Sequence, residues 1–519
     1  MELIRGTLVK KRIIKEGVKQ QLLEGARILH DAVSTTLGPK GENAVIQTYG
    51  EPLVTHDGVT VANSIEIEAE DASAIGLEMV KVSSNKNNDN VGDGTTSATI
   101  LAYNIVKEGM HFIDSGKNSM ILRKEIEVAA LEAMEELDRI SKPVTTEKEA
   151  INIATISSQD EAVGKTVGKL FHKLGKGAQV SIERAEKLGV ESKIVEGYTF
   201  NNGLSYPHMV RDKKTQSTTL DSPAILVSSK PLGMSDIATI TQKLYSDGID
   251  QILLITDELK GDLVVESQRN KGKFDIIAVR APGFGDNRLE LLEDIAKLCN
   301  TKVYNGSQSF IVADLGCCDK VIASQTETVI YGGEDVSEYV KELEVKLKEE
   351  TSEYEKEKLI KRIAALRSQI GILKVGALTE MADDELKRLV DDAVSSTESA
   401  MKEGYVPGGG MTYIQLSKAI KGDSDGAKTL REALHAPFRV LMDNSGEQAG
   451  VVLKSLENEP FGMGMNVLTG EIVDLVKDGV IDSTSVIKNA LKNSVSVAGS
   501  ILTSGVAVLN EKEKHEEED

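Results

Sequence analysis

Hydrophobic residues recur at helical spacing near the start of the chain. Val18, Leu22 and Ala26 are four residues apart, which predicts an amphipathic helix over residues 16–36. Glycine and proline within the segment 37–41 end this helix in a turn. The first element of the chain is therefore expected to be a helix with one face packed against a core.

Two short apolar runs follow, Ala44–Ile46 and Pro52–Thr55, and they are joined through Tyr49-Gly50. Their length and the glycine between them predict a β-hairpin. Helical patterns then dominate from residue 74 to residue 140, and they return after residue 380. The two ends of the chain are thus expected to be mainly helical.

The middle third of the chain has a different pattern. Short β-rich runs at 224–227, 252–255 and 276–279 alternate with helical stretches, which predicts an α/β domain with parallel strands. The Glu- and Lys-rich segment 336–366 predicts a long helical hairpin. Helical ends around an α/β middle indicate one domain made from both termini, with another domain inserted into it.

Composition narrows the class of protein. A chain of 519 residues is too long for one hydrophobic core, so about three domains are expected. Its 82 acidic and 61 basic residues give a net charge of -21. This balance argues against a nucleic-acid partner, because such a protein needs a concentrated basic face.

The cysteines and the apolar runs indicate the cellular compartment of the protein. Cys299, Cys317 and Cys318 are too few for a disulfide framework, and their spacing does not suggest a metal site. No apolar run reaches the roughly 20 residues that a membrane span requires, and Met1–Arg5 lacks the apolar core of a signal peptide. We therefore expect a cytoplasmic protein without a membrane partner.

The most informative segment is Gly92-Asp93-Gly94-Thr95-Thr96-Ser97, which we call the 92–97 loop and which precedes a helical stretch. Glycines let the backbone approach a phosphate, a helix N-terminus attracts anions, and the carboxylate of Asp93 suits Mg²⁺. An ordinary capping turn explains the same residues without a ligand. The loop is not a Walker motif, because no Gly-Lys-Ser/Thr follows.

Other turns and acids are weaker candidates. The turn 35–41 lies at a helix C-terminus and needs no function, and Gly408–Gly410 indicates either close approach of a partner or a hinge. Asp57 and Asp392 could orient or deprotonate water in ATP hydrolysis, although surface solvation is the alternative for each. His56, taken alone, is neither a base nor a ligand.

In this order and at these separations, the segments resemble the bacterial, GroEL-like chaperonins (group I, the 60 kDa chaperonin family), and the chain is identified as a divergent member. The matching motifs are Thr36–Gly41, Asp57–Val59, Gly92–Thr96, Val279–Asp286, Thr351–Tyr354 with Glu357–Leu359, Gly408–Gly410 and Ser496–Gly499. The match covers nearly the whole chain.

The resemblance implies a multidomain α/β fold with three domains. A mostly helical equatorial domain would be built from both termini, over residues 1–139 and 403–519. A small α/β intermediate domain would comprise residues 140–195 and 372–402, and an inserted α/β apical domain residues 196–371. This agrees with the inserted domain that the hydrophobic pattern predicts.

The resemblance also implies roles for single residues in binding ATP and Mg²⁺, with K⁺ as a further candidate ion. Asp392 would be the catalytic carboxylate, brought in by a moving intermediate domain, and Asp57 would assist it. Asp93 would bind the metal. The nucleotide would be held by Thr36, Leu37, Gly38, Pro39, His56, Gly58, Asp93, Gly94, Thr95, Thr96, Ser97, Gly409, Asn466, Val467, Leu468 and Asp482.

The chain departs from the family pattern at several positions. His56 stands where the family has lysine, and Pro407 precedes the three glycines where alanine is usual. The glycine pair of the second apical hinge is replaced by Ser368-Gln369. A charged tail over residues 511–519, expected to be disordered, replaces the family's Gly-Gly-Met tail.

The apical surface that would bind clients and a lid protein is predicted from apolar residues on one extended segment and two helices. These residues are Leu204, His208, Met209, Ile237, Ile240, Leu244, Leu263 and Val264. For each of them, packing in the core is the alternative. Because the second helix turns polar at Glu266, the first helix is expected to carry most of the client contact.

The function implied by the resemblance is an ATP-driven folding chamber. The subunit would form a heptameric ring, single or stacked as a double ring, which binds unfolded polypeptides and takes a lid co-chaperonin. A chaperonin-derived scaffold without turnover is the alternative, and the presence of Asp57, Asp93 and Asp392 argues against it. A small-molecule kinase is disfavoured because Walker and kinase signatures are absent.

Overall fold

The computed structural model describes most of the chain. The described residues are 11–48, 52–67, 71–185, 187–213, 215–270, 272–306, 311–350, 352–367 and 369–510. The predicted tail 511–519, the hairpin link Tyr49-Gly50 and the hinge residue Ser368 lie outside these ranges. Within them, no helix combines the length and the apolar character needed to cross a membrane.

Helices account for most of the regular structure at both ends of the chain. Their bounds are α1 Val18–Ser34, α2 Gly58–Ser64, α3 Ser73–Val91, α4 Thr95–Asp114, α5 Ser119–Ile140, α6 Glu147–Ser158, α7 Glu161–Leu174, α8 Met234–Ser246, α9 Gly261–Arg269, α10 Gly285–Leu298, α11 Ser337–Glu349, α12 Glu353–Leu366, α13 Glu380–Glu403, α14 Met411–Ala419, α15 Asp425–Ala433, α16 Ala436–Ser445, α17 Ala449–Ser455, α18 Leu475–Asp478 and α19 Thr484–Thr503.

Strands are concentrated in the middle of the chain. Their bounds are β1 Lys11–Ile14, β2 Ala44–Ile46, β3 Leu53–Thr55, β4 Gln179–Arg184, β5 Gly189–Phe200, β6 Thr218–Asp221, β7 Ala224–Ser228, β8 Gln251–Thr256, β9 Asp275–Arg280, β10 Val303–Tyr304, β11 Gly316–Cys317, β12 Lys320–Ala323, β13 Thr328–Tyr331, β14 Gln369–Gly376, β15 Tyr405–Pro407, β16 Met463–Asn466, β17 Glu471–Asp474, β18 Ile481–Ser483 and β19 Ala507–Asn510. Short 3-10 helices lie at Pro207–Met209 and Val312–Asp314.

The chain folds into two compact units. The larger comprises residues 1–177, 184–190 and 375–519, so both ends of the chain contribute to it. The apolar faces of α1, α3, α4, α5 and α19 form its main core. On α1 these include Val18, Leu22 and Ala26, at the spacing that predicted the helix. Among its described residues the unit also has four antiparallel two-stranded ribbons, β1 with β19, β2 with β3, β15 with β18 and β16 with β17.

The smaller unit comprises residues 178–183 and 191–374. Its first sheet has the order β10-β7-β8-β9 with β11 also paired to β7, and β7, β8 and β9 are parallel. Its second sheet has the order β4-β14-β5-β13-β12-β6. The strands β7 and β8 are buried on both faces, which is why they consist of continuous aliphatic runs rather than alternating ones.

These elements confirm the main expectations for the fold. The structure is a multidomain α/β fold in which a mainly helical part is built from both ends and an α/β part is inserted. The parallel strands, the β2–β3 hairpin and the α11–α12 helical hairpin lie where the pattern predicted them. The separation of the larger unit into equatorial and intermediate domains, with the bounds given above, stays a prediction.

Candidate functional site

The first segment of the site is the turn that follows α1. Thr36 is buried, and its Oγ1 donates a hydrogen bond to the carbonyl oxygen of Val33 at 2.9 Å. Gly38 has a φ of +85°, and a Cβ at this position would lie 2.2 Å from Cδ1 of Leu441 on α16. The turn therefore requires glycine both for its backbone angle and for the close approach of α16.

An asparagine from a distant helix holds the same turn. Nδ2 of Asn444 on α16 donates to the carbonyl oxygens of Ser34 and Leu37, each at 2.9 Å. The carbonyl of Ser34 belongs to the last residue of α1, and that of Leu37 belongs to the turn that follows the helix. Asn444 is 410 residues from Ser34 along the chain. No local pattern in the sequence could have indicated this residue.

Asp57 caps the short helix α2 and also lines the site. Its Oδ1 accepts from the backbone N–H of Val59 and its Oδ2 from that of Thr60, both at 3.0 Å. Gly58 lets α2 approach the 92–97 loop, because a Cβ there would lie 2.2 Å from Oγ1 of Thr96. Asp57 is therefore a fixed, partly buried carboxylate and not a solvated surface acid.

The 92–97 loop leads directly into α4, which begins at Thr95. Gly94 is the N-cap with a φ of +80°, and a Cβ on it would lie 2.7 Å from the side chains of Asn87 and Val486. Oγ1 of Thr95 is buried and has no hydrogen-bond partner among the described residues. A buried hydroxyl without a partner at a helix N-terminus is a donor available to a ligand, and an anion suits that position.

Asp93 lies between this loop and two serines from other helices. Its Oδ1 accepts from the N–H of Gly94, and its Oδ2 is 3.2 Å from Oγ of Ser157 on α6 and 3.4 Å from Oγ of Ser396 on α13. Burial, with the charge of Asp57 as a further cause, holds the pKa of Asp93 above its ordinary value despite these hydrogen bonds. The carboxylate is mostly buried without an ion pair in the described part of the chain.

Asp392 comes from the middle of α13, and its pKa is raised to about 8. Burial is the largest cause, and the negative charges of Asp93, Asp57 and Asp391 add to it. The guanidinium of Arg388, one helical turn earlier, acts in the opposite direction. A carboxyl group with such a pKa can gain and lose a proton near neutral pH, which is the property that a general base requires.

These groups line a cavity of about 430 Å³ in the larger unit. The predicted residues that line it are Thr36, Leu37, Gly38, Pro39, His56, Asp57, Gly58, Asp93, Gly94, Thr95, Thr96, Ser97 and Asp392. Reasoning on the sequence did not single out Ser157, Ser158, Gln159, Asp160, Glu385, Arg388 and Leu389, which line it as well. A larger groove of about 870 Å³ in the same unit is lined by none of the predicted residues.

Five of the residues predicted to bind the nucleotide do not line this cavity. They are Gly409, Asn466, Val467, Leu468 and Asp482. Val467 is buried in a hydrophobic cluster against which Leu37 also packs, whereas Leu468 is exposed. Burial, followed by the charge of Asp93, raises the pKa of Asp482 to about 7. The assignment of these five residues to nucleotide binding stays a prediction.

The predicted recognition surface of the smaller unit is wrong. Six of its residues are buried in that unit's hydrophobic core, namely Leu204, Met209, Ile237, Ile240, Leu244 and Leu263. Val264 packs against this core, and Nε2 of the partly buried His208 lies 2.9 Å from Oγ of Ser267. The reason is that helical periodicity marks the face packed against a sheet, and the outer face of a helix need not repeat it.

The outer faces of α8 and α9 carry other residues. Tyr245 on α8 and Val265 on α9 are exposed, whereas Ile240 faces the core. The expectation that α8 carries most of the client contact through Ile240 is wrong for the same reason. Glu266 is only partly exposed, and its Oε1 accepts from Nδ2 of Asn270 at 2.9 Å.

Comparison with known proteins identifies related sequences and structures. A profile of the TCP-1/cpn60 chaperonin family matches residues 29–258 and 271–510. Two crystal forms of the chaperonin gp146 from the bacteriophage EL 2 (Pseudomonas aeruginosa), both in the presence of ATP-BeFx, are structurally similar to the chain. Crystal form II gives a TM-score of 0.72 at 19% identity, and form I gives 0.66 at 20%. Each match covers 96% of this chain and 99% of the other. At such identities the structural likeness supports the fold alone.

Proposed function

Because the chain belongs to the TCP-1/cpn60 chaperonin family, we propose that it is an ATP-hydrolysing subunit that assembles into rings and promotes the folding of other proteins. The observation that carries the ATPase part is the 430 Å³ cavity. It combines the N-terminus of α4 with carboxylates from three separate segments, Asp57, Asp93 and Asp392. This combination suits a phosphate chain and the water that attacks it.

The phosphates of ATP would bind at the 92–97 loop. The unpartnered Oγ1 of Thr95 and the first N–H groups of α4 supply donors, and the glycines leave room for close approach. Thr36 and Gly38 would flank the same phosphates from the turn after α1. The ATP-BeFx present with gp146 is consistent with nucleotide binding by this fold.

Asp93 would hold Mg²⁺. Its hydrogen bonds from Ser157 and Ser396 are long, so a hard cation can replace them. No group of three or more histidine, cysteine, aspartate or glutamate side chains within the described ranges is arranged to hold a metal ion. This fits Mg²⁺, which is commonly bound through one or two carboxylates together with substrate phosphates. When bound, the ion would neutralise charge on those phosphates.

Asp392 would act as the general base toward the attacking water. Its raised pKa lets it accept a proton near neutral pH, and the fixed carboxylate of Asp57 lines the cavity beside it. Both groups lie in the larger unit, together with the loop that would hold the phosphates. The residues needed for binding and for hydrolysis thus come from one compact unit.

Ring assembly is supported by two exposed ribbons on the larger unit. Val45 and Val54 on the β2–β3 hairpin are 70% and 54% exposed, and Ile13 and Val508 on the β1–β19 ribbon are also exposed. Isolated two-stranded ribbons are marginally stable in water, and their apolar side chains gain from burial against another subunit. Heptameric symmetry, and a single or a double ring, remain expectations from the resemblance.

Client folding rests on family membership and not on the residues predicted for it. Six of those residues are buried in the core of the smaller unit, so they cannot form an open client surface without unpacking it. A lid co-chaperonin likewise remains an expectation from the resemblance.

Phosphate release from ATP in the presence of Mg²⁺ tests the proposed activity. Asp392→Ala should lower the rate about 10²- to 10⁴-fold while ATP binding persists, because loss of a general base affects mainly the transition state. Asp391→Ala is the matched control, since Asp391 is adjacent on α13 but does not line the cavity. It should retain wild-type turnover or exceed it modestly, because the charge of Asp391 contributes to the raised pKa of Asp392.

The same assay separates the folding chamber from the scaffold. A folding chamber should release phosphate and recover a denatured client enzyme in an ATP-dependent manner. A wild-type chain that binds ATP but releases no phosphate would be a scaffold. Turnover of Asp392→Ala within twofold of wild type would refute the assignment of the base.

A further inference from the structure

The cavity that would hold the nucleotide contains one basic side chain with a permanent charge. Five of the residues that line it are acidic, namely Asp57, Asp93, Asp160, Glu385 and Asp392. Arg388 is the only lysine or arginine among the described residues that line it. A polyphosphate entering this space would meet mostly negative charge, and it therefore requires cations at defined positions.

Arg388 occupies a particular place on α13. It precedes Asp392 by four residues, which is about one turn or 6 Å along the helix, so both side chains lie on the same face. Leu389 and Glu385 line the cavity from the same part of α13, whereas Lys387 does not. The helix thus presents one of two adjacent cations to the cavity and directs the other elsewhere.

The guanidinium of Arg388 is also unpaired among the residues that the structure describes. No ion pair or hydrogen bond joins its side chain to any residue in the described part of the chain. By contrast, Arg184 in the same unit pairs with Asp383 at 3.2 Å and with Asp384 at 2.7 Å, near the start of the same helix. The positive charge of Arg388 nevertheless acts on Asp392, because it lowers the pKa of that carboxyl group.

We propose that Arg388 binds the terminal phosphate of a nucleoside triphosphate and makes the cavity select the triphosphate over the diphosphate. This inference rests on the proposed ATPase function. A guanidinium presents several N–H donors in a planar fork that matches phosphate oxygens. Because Arg388 and Asp392 share one helix face, the side chain that recognises the terminal phosphate would lie beside the side chain that activates water. The family resemblance assigns no role to Arg388.

A purely electrostatic effect of Arg388 on Asp392 is the rival account. It would change the rate of hydrolysis without changing the relative affinity for the two nucleotides. Binding must therefore be measured without turnover, using the imidodiphosphate analogue of ATP and, separately, ADP, each with Mg²⁺. The full-length chain in its assembled state is the protein to use.

The test compares Arg388→Met with Lys387→Met. Arg388→Met should weaken binding of the ATP analogue about tenfold or more, because a hydrogen-bonded charge pair is lost. ADP, which lacks the terminal phosphate, should bind within about twofold of wild type. Lys387→Met removes the same charge from the adjacent position and should change neither affinity.

The outcomes separate this inference from the function on which it rests. If the wild type binds neither nucleotide, the ATPase proposal fails and the role of Arg388 fails with it. If Arg388→Met binds both nucleotides with the same affinities as the wild type and Lys387→Met, only the role of Arg388 is refuted. Equal weakening for both nucleotides also refutes selection through the terminal phosphate. Should Arg388→Met melt below the wild type, Arg388→Gln decides by the same criteria.

Discussion

Both units of the molecule contain buried carboxyl groups, and the two units differ in whether a basic side chain pairs with them. In the smaller unit, Asp294 is fully buried and accepts two hydrogen bonds from Arg362, one from Nε at 2.8 Å and one from Nη2 at 2.7 Å. Oη of Tyr339 donates a third at 2.9 Å. The charge of Asp294 is thus neutralised by neighbours within its own unit.

In the larger unit, no lysine or arginine of the described residues forms an ion pair with the mostly buried Asp93 and Asp392. The hydroxyl groups of Ser157 and Ser396 and the backbone N–H of Gly94 contact Asp93, and burial raises the pKa of both Asp93 and Asp392. Leaving charged groups mostly buried without a partner costs stability, so such groups persist where a ligand will compensate them. A paired buried charge indicates a role in the fold, whereas an unpaired cluster facing a cavity indicates a role in binding or catalysis.

The largest expected effect comes from breaking the pair in the smaller unit. Arg362→Met should destabilise that unit by about 3–5 kcal/mol, because it leaves Asp294 as an uncompensated buried charge. Chemical denaturation followed by a probe in the smaller unit measures this loss. The double variant Arg362→Met/Asp294→Leu should recover much of it, since both charges are then absent.

A more exposed ion pair at the C-terminal end of α12 is the matched control. Arg367 contacts Glu344 at 2.8 Å, and their side chains are 56% and 37% exposed. Arg367→Met should cost about 1 kcal/mol or less, because solvent screens exposed ion pairs. Equal losses for Arg362→Met and Arg367→Met would contradict a structural role for the buried pair.

A smaller effect of opposite sign is expected in the larger unit. Asp392→Asn should stabilise it by roughly 1–3 kcal/mol near pH 8, because the variant removes a carboxyl group whose ionised form is disfavoured by burial. The folded-state pKa of about 8 lies above the ordinary value of 3.8, so the folded protein binds more protons between these two values. Wild-type stability should therefore fall as the pH rises through this window.

The pH dependence makes that prediction specific. The stability advantage of Asp392→Asn should be small near pH 5 and should grow toward pH 8, as thermal unfolding at several pH values would record. Asp443→Asn, which removes an exposed carboxylate from the same unit, should change stability by less than about 0.5 kcal/mol at every pH. An advantage for Asp392→Asn that is constant with pH would mean that the carboxyl group is not held in its neutral form.

The sequence predicts the parts of the site that depend on local chemistry. The 92–97 loop and the turn at Gly38 carry glycines at positive φ, and these have a recognisable local pattern before α4 and after α1. The parallel strands were likewise predictable from their continuous aliphatic runs, and the helices at both ends of the chain from apolar periods that match their burial.

The rest of the site depends on contacts between distant segments. Ser157, Arg388 and Asn444 reach the cavity or its supporting turn from separate helices, and nothing in their own segments distinguishes them. The error at Ile237 and Ile240 has a related cause. An apolar stripe at helical spacing shows that a face is buried, but it does not show whether the core or a partner covers it.

The measurement closest to the central claim is the Mg²⁺ dependence of phosphate release by wild type and Asp93→Ala at fixed ATP. If the unpaired carboxylates of the larger unit are held for a metal–nucleotide complex, the wild type should reach full activity at moderate Mg²⁺. Asp93→Ala should need a much higher concentration or should not reach the wild-type rate, because the phosphates would lose a ligand of the ion that neutralises them. Superimposable Mg²⁺ curves for the two proteins would contradict the claim.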